Sequence, residues 1–213
     1  VREIVSINGS TGSGKSTLAR ELVAGKFRAV LVDPANDAAW RKDGFKRVRD
    51  LPELSKAIAA GWRGGFRLVL VPPAHLCAEA LDGVSLLLCA YQEKLYHGKD
   101  ADGASLIVDE MAECYSNSHV TRSDLRGFRR VILQGRHFGI SVYGITQRPA
   151  DVAAQFRDNC DRAFYFRLHD ATSRDRVVAR LGKEHEKAYR TLADFEYLAE
   201  ARGVVSKGRT RKK

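Results

Sequence analysis

Residues 3–16 read EIVSINGSTGSGKS: an apolar run ending at Asn8, then Gly9-Ser10-Thr11-Gly12-Ser13-Gly14-Lys15-Ser16, which satisfies the pattern G-x-x-x-x-G-K-[ST]. The run before the pattern has the character of a strand, and the residues after it predict a helix over 16–23. A Gly-rich loop between a strand and a helix is the setting in which this pattern cradles phosphates. Glycines let the backbone curl so that successive N–H groups face phosphate oxygens. The helix adds its positive end to the same site. In such a loop Lys15 reaches the β- and γ-phosphates and the Ser16 hydroxyl ligates Mg2+, with Gly9 through Thr17 forming the cradle for ATP. Reading it instead as a Gly/Ser-rich surface turn leaves the flanking strand and helix as coincidence.

Outward from this loop, apolar runs alternate with helical patterns, the sign of an α/β fold with a mainly parallel sheet. Strands are predicted at 29–32, 66–71, 105–108, 140–146 and 163–168. Helices are predicted at 52–60 (capped by Asp50), 84–96, 123–136, 173–181 and 183–192, with a closing hairpin over 195–205. The strand SLIV at 105–108 delivers Asp109-Glu110 at its carboxyl end. Asp109 then lies beside the Mg2+ that Ser16 holds. Glu110, immediately after it, can orient and polarise a water for in-line attack, as a general base does. ATP-hydrolysing motors use such an acid pair, whereas nucleotide kinases and small GTPases do not need it. The same two acids could instead cap the following helix. Two predicted strands separate the loop from this pair, which points to a P-loop NTPase of the ASCE, RecA-like class with helices on both faces of the sheet.

With 213 residues the chain suits one domain, read as a P-loop domain over 1–202 and a basic tail over 203–213. A body of this size buries roughly 70% of the surface its unfolded chain exposes, so it needs no staples. Hydrophobic residues at 44% and charged residues at 29% exclude disordered and fibrous classes. The longest apolar stretch, 84–91, falls short of the ~20 residues of a membrane helix, so no membrane segment is expected. The amino terminus runs straight into the Gly/Ser loop, so no leader is expected either. Val1 suggests that only an initiator methionine is missing. Cys77, Cys89, Cys114 and Cys160 show no paired spacing and read as buried thiols of an intracellular protein.

The net charge is +10, and Arg202 to Lys213 holds six cations and no acid, leaving +4 on the other residues. That concentration suits a polyanion partner, nucleic acid before membrane, or simply a solvated terminus. On a predicted helix, Arg122, Arg126, Arg129, Arg130 and Arg136 fall within an arc of about 120°, beside an apolar face of Leu125, Phe128 and Ile132. Such a face could line a pore and follow phosphates, make intersubunit ion pairs, or remain solvated. His75 and Cys77 lack the second half of a zinc site. Trp40 and Trp62 read as packing residues, and nothing activates Cys114 or Tyr115 as a nucleophile.

The strand at 140–146 ends in Thr146-Gln147-Arg148-Pro149. Taken alone, this is a turn as readily as a phosphate sensor. The block GRHFGISVYGITQRPADV (135–152), however, resembles the HerA/FtsK superfamily of DNA-pumping ATPases, in which a helix with a flanked basic residue leads into a strand ending in TQRP. Residues 156–182 also look like that family's following stretch, so the likeness runs from Gly9 to about Gly182. The resemblance implies Gln147 as polar sensor, Lys15 and Ser16 at phosphates and Mg2+, Asp109 on Mg2+ and Glu110 as general base. It also implies a homo-oligomeric ring, favoured as a hexamer, with an arginine finger for which Arg157 and Arg162 are the first candidates. Arg148 reads as part of the loop and Arg174 as a helix-start contact. The compact size is most similar to the genome-packaging ATPases of tailless, membrane-containing double-stranded DNA viruses. That implies double-stranded DNA and capsid vertex or portal proteins as partners, in the host cytoplasm or on the virion. Three alternatives are an assembly or secretion ATPase of the zonula-occludens-toxin type (which normally continues into a membrane segment), a nucleotide-switched binding module, and a small-molecule kinase, against which the Asp109-Glu110 pair argues.

Overall fold

The computed structural model describes residues 2–99 and 102–211. Its strands are β1 (Ile4–Asn8), β2 (Arg28–Val32), β3 (Lys46–Val48), β4 (Phe66–Leu70), β5 (Ala104–Val108), β6 (Ile140–Thr146), β7 (Arg162–Phe166), β8 (Glu196–Ala201) and β9 (Val204–Arg209). Among the described residues they form one sheet in the order β3-β4-β2-β5-β6-β1-β7-β8-β9. Pairing is parallel from β3 through β7 and antiparallel for β8 and β9. The central strands are buried along their whole length, which is why they read as continuous apolar runs.

Side chains alternate between two cores. Val30, Val32, Leu106 and Val108 face α3 (Leu51–Gly61), α4 (Cys77–Leu95) and α7 (Gly127–Gln134). Leu31, Ile107 and Ile145 face α1 (Lys15–Val23) and Trp40 of α2 (Ala38–Lys42). Beyond β7, α9 (Ala171–Leu181) and α10 (Glu186–Arg190) cover a third cluster. Short helices α5 (Met111–Cys114), α6 (Asn117–Val120) and α8 (Ala154–Asp158) fill the crossovers. Thus the expected α/β architecture with helices on both faces is present. In space a single strand, β6, separates β1 from β5, and β3 adds a third strand between them in sequence.

Strand β3 and helix α2 were not expected, the helix expected over 183–192 is a 3-10 turn (Lys183–His185) followed by α10, and three further departures have identifiable causes. The helix expected from 84 begins at Cys77. Gly83 does not interrupt it, because a Cβ there would stand 2.4 Å from Leu51 Cδ1, and glycine is what lets α3 approach. Ala74–Leu95 is long and apolar enough to cross a membrane by composition, yet half of its apolar window is buried within the protein. The helix expected over 123–136 is confined to α7, because the buried Asp82 carboxylate of α4 accepts from the N–H groups of Gly127 (2.5 Å) and Phe128 (3.2 Å). This cap from a distant residue sets the helix start.

The third departure is the basic tail expected over 203–213. Six of its residues are β9, paired with β8 from Ala201↔Val204 to Glu196↔Arg209. The expected boundary falls in the hairpin turn, where Arg202 and Gly203 both have positive φ (52° and 78°). Alternating lysine and arginine along an exposed edge strand blocks further pairing, so edge strand and tail share one composition. Lys207 pairs with Glu196 at 2.9 Å. Thr210 is buried against the phosphate loop, and Arg211 follows it, exposed. Val1, Lys212 and Lys213 lie outside the described residues.

Candidate active site

The carboxyl ends of β1, β2, β5, β6 and β7 open on the same edge of the sheet. Asn8 closes β1 with its amide donating to the Phe164 carbonyl (3.1 Å). Gly9 N–H then donates to the Thr146 carbonyl, and Ser10 N–H to that of Arg167, so the loop is stitched to the neighbours on both sides. A Cβ on Gly9 would lie 2.5 Å from Ser13 Oγ and 2.7 Å from Phe166 Cβ. Gly14 caps α1 at φ 107°, a conformation other residues rarely adopt. The first turn of α1 carries no acid and no side-chain cap, so its N–H groups remain for an anion. Lys15 is buried there, with Ser16 and Thr17 half-buried beside it. Burial pushes the Lys15 ammonium below its ordinary pKa, against the opposing pull of Asp109, Glu110 and Asp37.

Asp109 follows β5 and is 8% exposed. Trp40 Nε1 donates to its Oδ2 at 3.0 Å. Burial pushes the carboxyl up to about 6; the Trp40 bond opposes this, the Asp33 charge adds to it, Lys15 opposes and Glu110 adds. Glu110 turns into the left-handed region (φ 62°, ψ 67°), a cost of roughly 1–2 kcal/mol for a residue with a Cβ. There its Oε1 accepts from the Thr146 hydroxyl (2.7 Å) and Gln147 N–H (3.2 Å). Gln147 in turn accepts from the Thr11 hydroxyl through Oε1 at 2.7 Å. One network therefore joins the phosphate loop, the tip of β6 and the second acid.

The donor set fits Mg2+ and a nucleotide. Ser13 Oγ is buried without a hydrogen-bond partner, and Asp109 holds a buried carboxylate whose charge reaches Lys15. Among the described residues no group of three or more His, Cys, Asp or Glu could hold a metal. An ion bound by one or two carboxylates together with substrate phosphates needs no such group.

The arginines are not gathered here. Arg162 begins β7, at the opposite end of the sheet from the phosphate loop, and pairs with Glu3 at 2.7 Å; the structure does not bring it to this site. Arg157 donates from Nε to the Val152 carbonyl and lines a cavity of about 130 Å³ with Asn8, Tyr165, Arg176 and Arg180. Arg148 is exposed at the site's rim. The expected five-arginine face is also interrupted. Arg122 and Arg136 lie outside α7, with Arg122 paired to Glu79 and Asp124, Arg130 to Glu93 and Arg136 to Asp161. Arg122, Arg126, Arg129 and Arg130, four of the five, nevertheless line one groove with Leu86 and Leu133.

Sequence reasoning placed Trp40 in the core, where it is, and missed that its indole N–H holds Asp109. It also missed Thr146, and Phe195, whose N–H donates to the Ser13 carbonyl at 2.8 Å. No local pattern announces any of these three contacts.

A family model described as "Zonular occludens toxin (Zot)" matches residues 75–188, more than half of the chain. The chain belongs to the Zot family. The Zot match begins after the phosphate loop. No curated protein matches the chain. Among solved structures, the fold of this Zot-family chain is similar to that of B204, the DNA-packaging ATPase of Sulfolobus turreted icosahedral virus (18% identity, TM-score 0.71, 99% of this chain and 98% of that one). It is similar too to the bacterial conjugative coupling protein TrwB (15%, 0.62, 100% and 85%) and to VirB4 of Thermoanaerobacter pseudethanolicus (10%, 0.64, 98% and 89%). The related B204 of Sulfolobus turreted icosahedral virus 2 has been solved with AMPPCP (16%, 0.71, 99% and 98%). The resemblance to HerA/FtsK-type P-loop ATPases therefore holds at the level of the fold.

Proposed function

We propose that this Zot-family chain is a Mg2+-dependent ATPase that drives double-stranded DNA through a homo-oligomeric ring, as a viral genome-packaging motor. The observation that carries the ATPase reading is the Glu110–Thr146–Gln147–Thr11 network. Bound Mg2+ would withdraw charge from the β- and γ-phosphates. Lys15, desolvated in the loop, places its ammonium at the same oxygens. Glu110 is held through Oε1, and its Oε2, without a hydrogen bond among the described residues, is free to take a proton from an attacking water. Gln147 reads the γ-phosphate from the position where it now meets Thr11.

The DNA part rests on the fold shared with B204 and TrwB, and on the groove holding Arg126 and Arg129, which suits phosphate contacts without sequence readout. A hexameric ring, an arginine finger supplied by Arg157 or Arg162 of a neighbour, a capsid-vertex or portal partner and action in the host cytoplasm complete this reading. A second reading, an assembly or secretion ATPase of the zonula-occludens-toxin type, is favoured by the family match over 75–188.

Steady-state hydrolysis of wild type and Glu110→Gln, with and without long double-stranded DNA and with particle sizing, separates them. Packaging predicts a ring whose turnover rises with DNA and falls 10²–10⁴-fold in the variant, the usual worth of a general base. Turnover indifferent to DNA favours the second reading. Wild-type turnover no greater than the variant's overturns the ATPase assignment.

A further inference from the structure

We propose that Asp33 is a further protein group of the Mg2+ site, accepting through Oδ1 a hydrogen bond from water held by the ion that Asp109 ligates. The proposal rests on the ATPase reading and extends it to a residue outside the two phosphate-site motifs. Asp33 directly follows β2, as Asp109 follows β5, and the last residues of those strands are in register (Val32↔Val108). Asp109 N–H donates to the Val32 carbonyl at 2.9 Å. Side chains two residues apart share a face, so Asp33 lies on the face of Leu31, and Asp109 on that of Ile107, which is the face covered by α1 and Trp40. Two adjacent strand ends thus present two carboxylates toward the helix that begins with Lys15 and Ser16.

Asp33 is 1% exposed. Its Oδ2 accepts from Asp37 N–H at 2.7 Å, which shapes the turn into α2, and the N–H groups of Asn36 and Ala35 also favour the charged carboxylate. Its Oδ1 is buried with no partner. A turn acceptor needs one oxygen and no charge, and an asparagine would do the same work. A buried carboxylate oxygen left unpaired beside a second buried carboxylate is costly unless a cation or its hydration shell compensates it. Mg2+ held by one carboxylate and phosphates keeps several waters, each a donor. The site as it stands has an acceptor without a partner for one of them, and Lys15 is a cation whose charge reaches Asp109.

The test is Asp33→Asn in the full chain, with Asp33→Ser, which also lacks the charge, as a second variant. Calorimetry of AMPPCP binding over a series of Mg2+ concentrations gives the half-saturating Mg2+ concentration, and thermal melting without metal gives stability. The expected results are a half-saturating Mg2+ concentration raised about tenfold or more, as for other outer-shell partners, and a metal-free Tm raised by about 2–4 °C per kcal/mol of relieved charge burial. An unchanged Mg2+ requirement with a lowered Tm, in metal and without it, would overturn the proposal and leave Asp33 as a turn acceptor. If wild type itself binds AMPPCP without regard to Mg2+, the ATPase reading falls along with it.

Discussion

Deleting residues 203–213 tests whether the basic end is a tail or part of the fold. A tail could be removed without loss to the domain. In the structure the cut removes β9, six positions paired with β8, and Thr210, whose N–H donates to the Phe195 carbonyl at 2.9 Å. Phe195 in turn holds the Ser13 carbonyl, and its ring and the Thr210 hydroxyl lie 2.9 and 3.0 Å from where a Gly14 Cβ would stand. Because β9 is mostly exposed, each ladder position falls near the low end of the net range for a hydrogen bond, about 0.5 kcal/mol. Six positions then come to about 3 kcal/mol, a large share of a typical 5–15 kcal/mol stability. At this chain length that lowers Tm by roughly 6–12 °C, and AMPPCP affinity falls because the loop loses its brace. Deleting only 211–213 leaves every one of these contacts. It should leave Tm and AMPPCP affinity unchanged while reducing the salt slope of DNA binding by at most about 2.7, the limit for three cations on a duplex. Melting curves, calorimetry and salt-dependent DNA binding on the two truncations make the comparison. A 203–213 deletion that melts within a degree of the full chain and binds AMPPCP as well would refute the reasoning.

Gly9→Ala forces a methyl group against Ser13 Oγ and Phe166 Cβ, so the loop must open; AMPPCP affinity should fall at least tenfold with a stability loss of about 1–3 kcal/mol, and calorimetry showing unchanged affinity would refute this. Burial pushes the Cys89 thiol up to about 11, above the ~8.5 of an unfolded chain, so its contribution to stability is complete below pH ~8.5 and is lost as pH rises through about 11. Cys89→Ala should therefore flatten part of the alkaline fall in stability seen by denaturant titration, and an identical pH slope would show that the thiol does not share in it.

The phosphate loop and the acid pair were legible because their chemistry is local: glycines, a lysine and a hydroxyl within eight residues, two acids at the end of one apolar run. What holds them was not. The Thr11–Gln147 bond spans 136 residues, Trp40–Asp109 spans 69 and Thr146–Glu110 spans 36, and no window of sequence contains both partners. The start of α7 escaped for the same reason, since its cap comes from Asp82 on another helix. The closing hairpin was expected over 195–205, but the reach of its second strand, β9, to Arg209 escaped for a different reason, because charge on an edge and charge on a tail have the same composition.

The hidden contacts are also the ones that make the site a unit. Gln147 binds the phosphate loop through its side chain and Glu110 through its backbone N–H. A ligand that takes the Thr11 hydroxyl's place must therefore act on a residue already tied to Glu110. The left-handed turn at Glu110 completes the link, since it directs that carboxylate to the tip of β6. The motifs name the polar groups of the site, and the pairing of β6 between β1 and β5 brings them into one network.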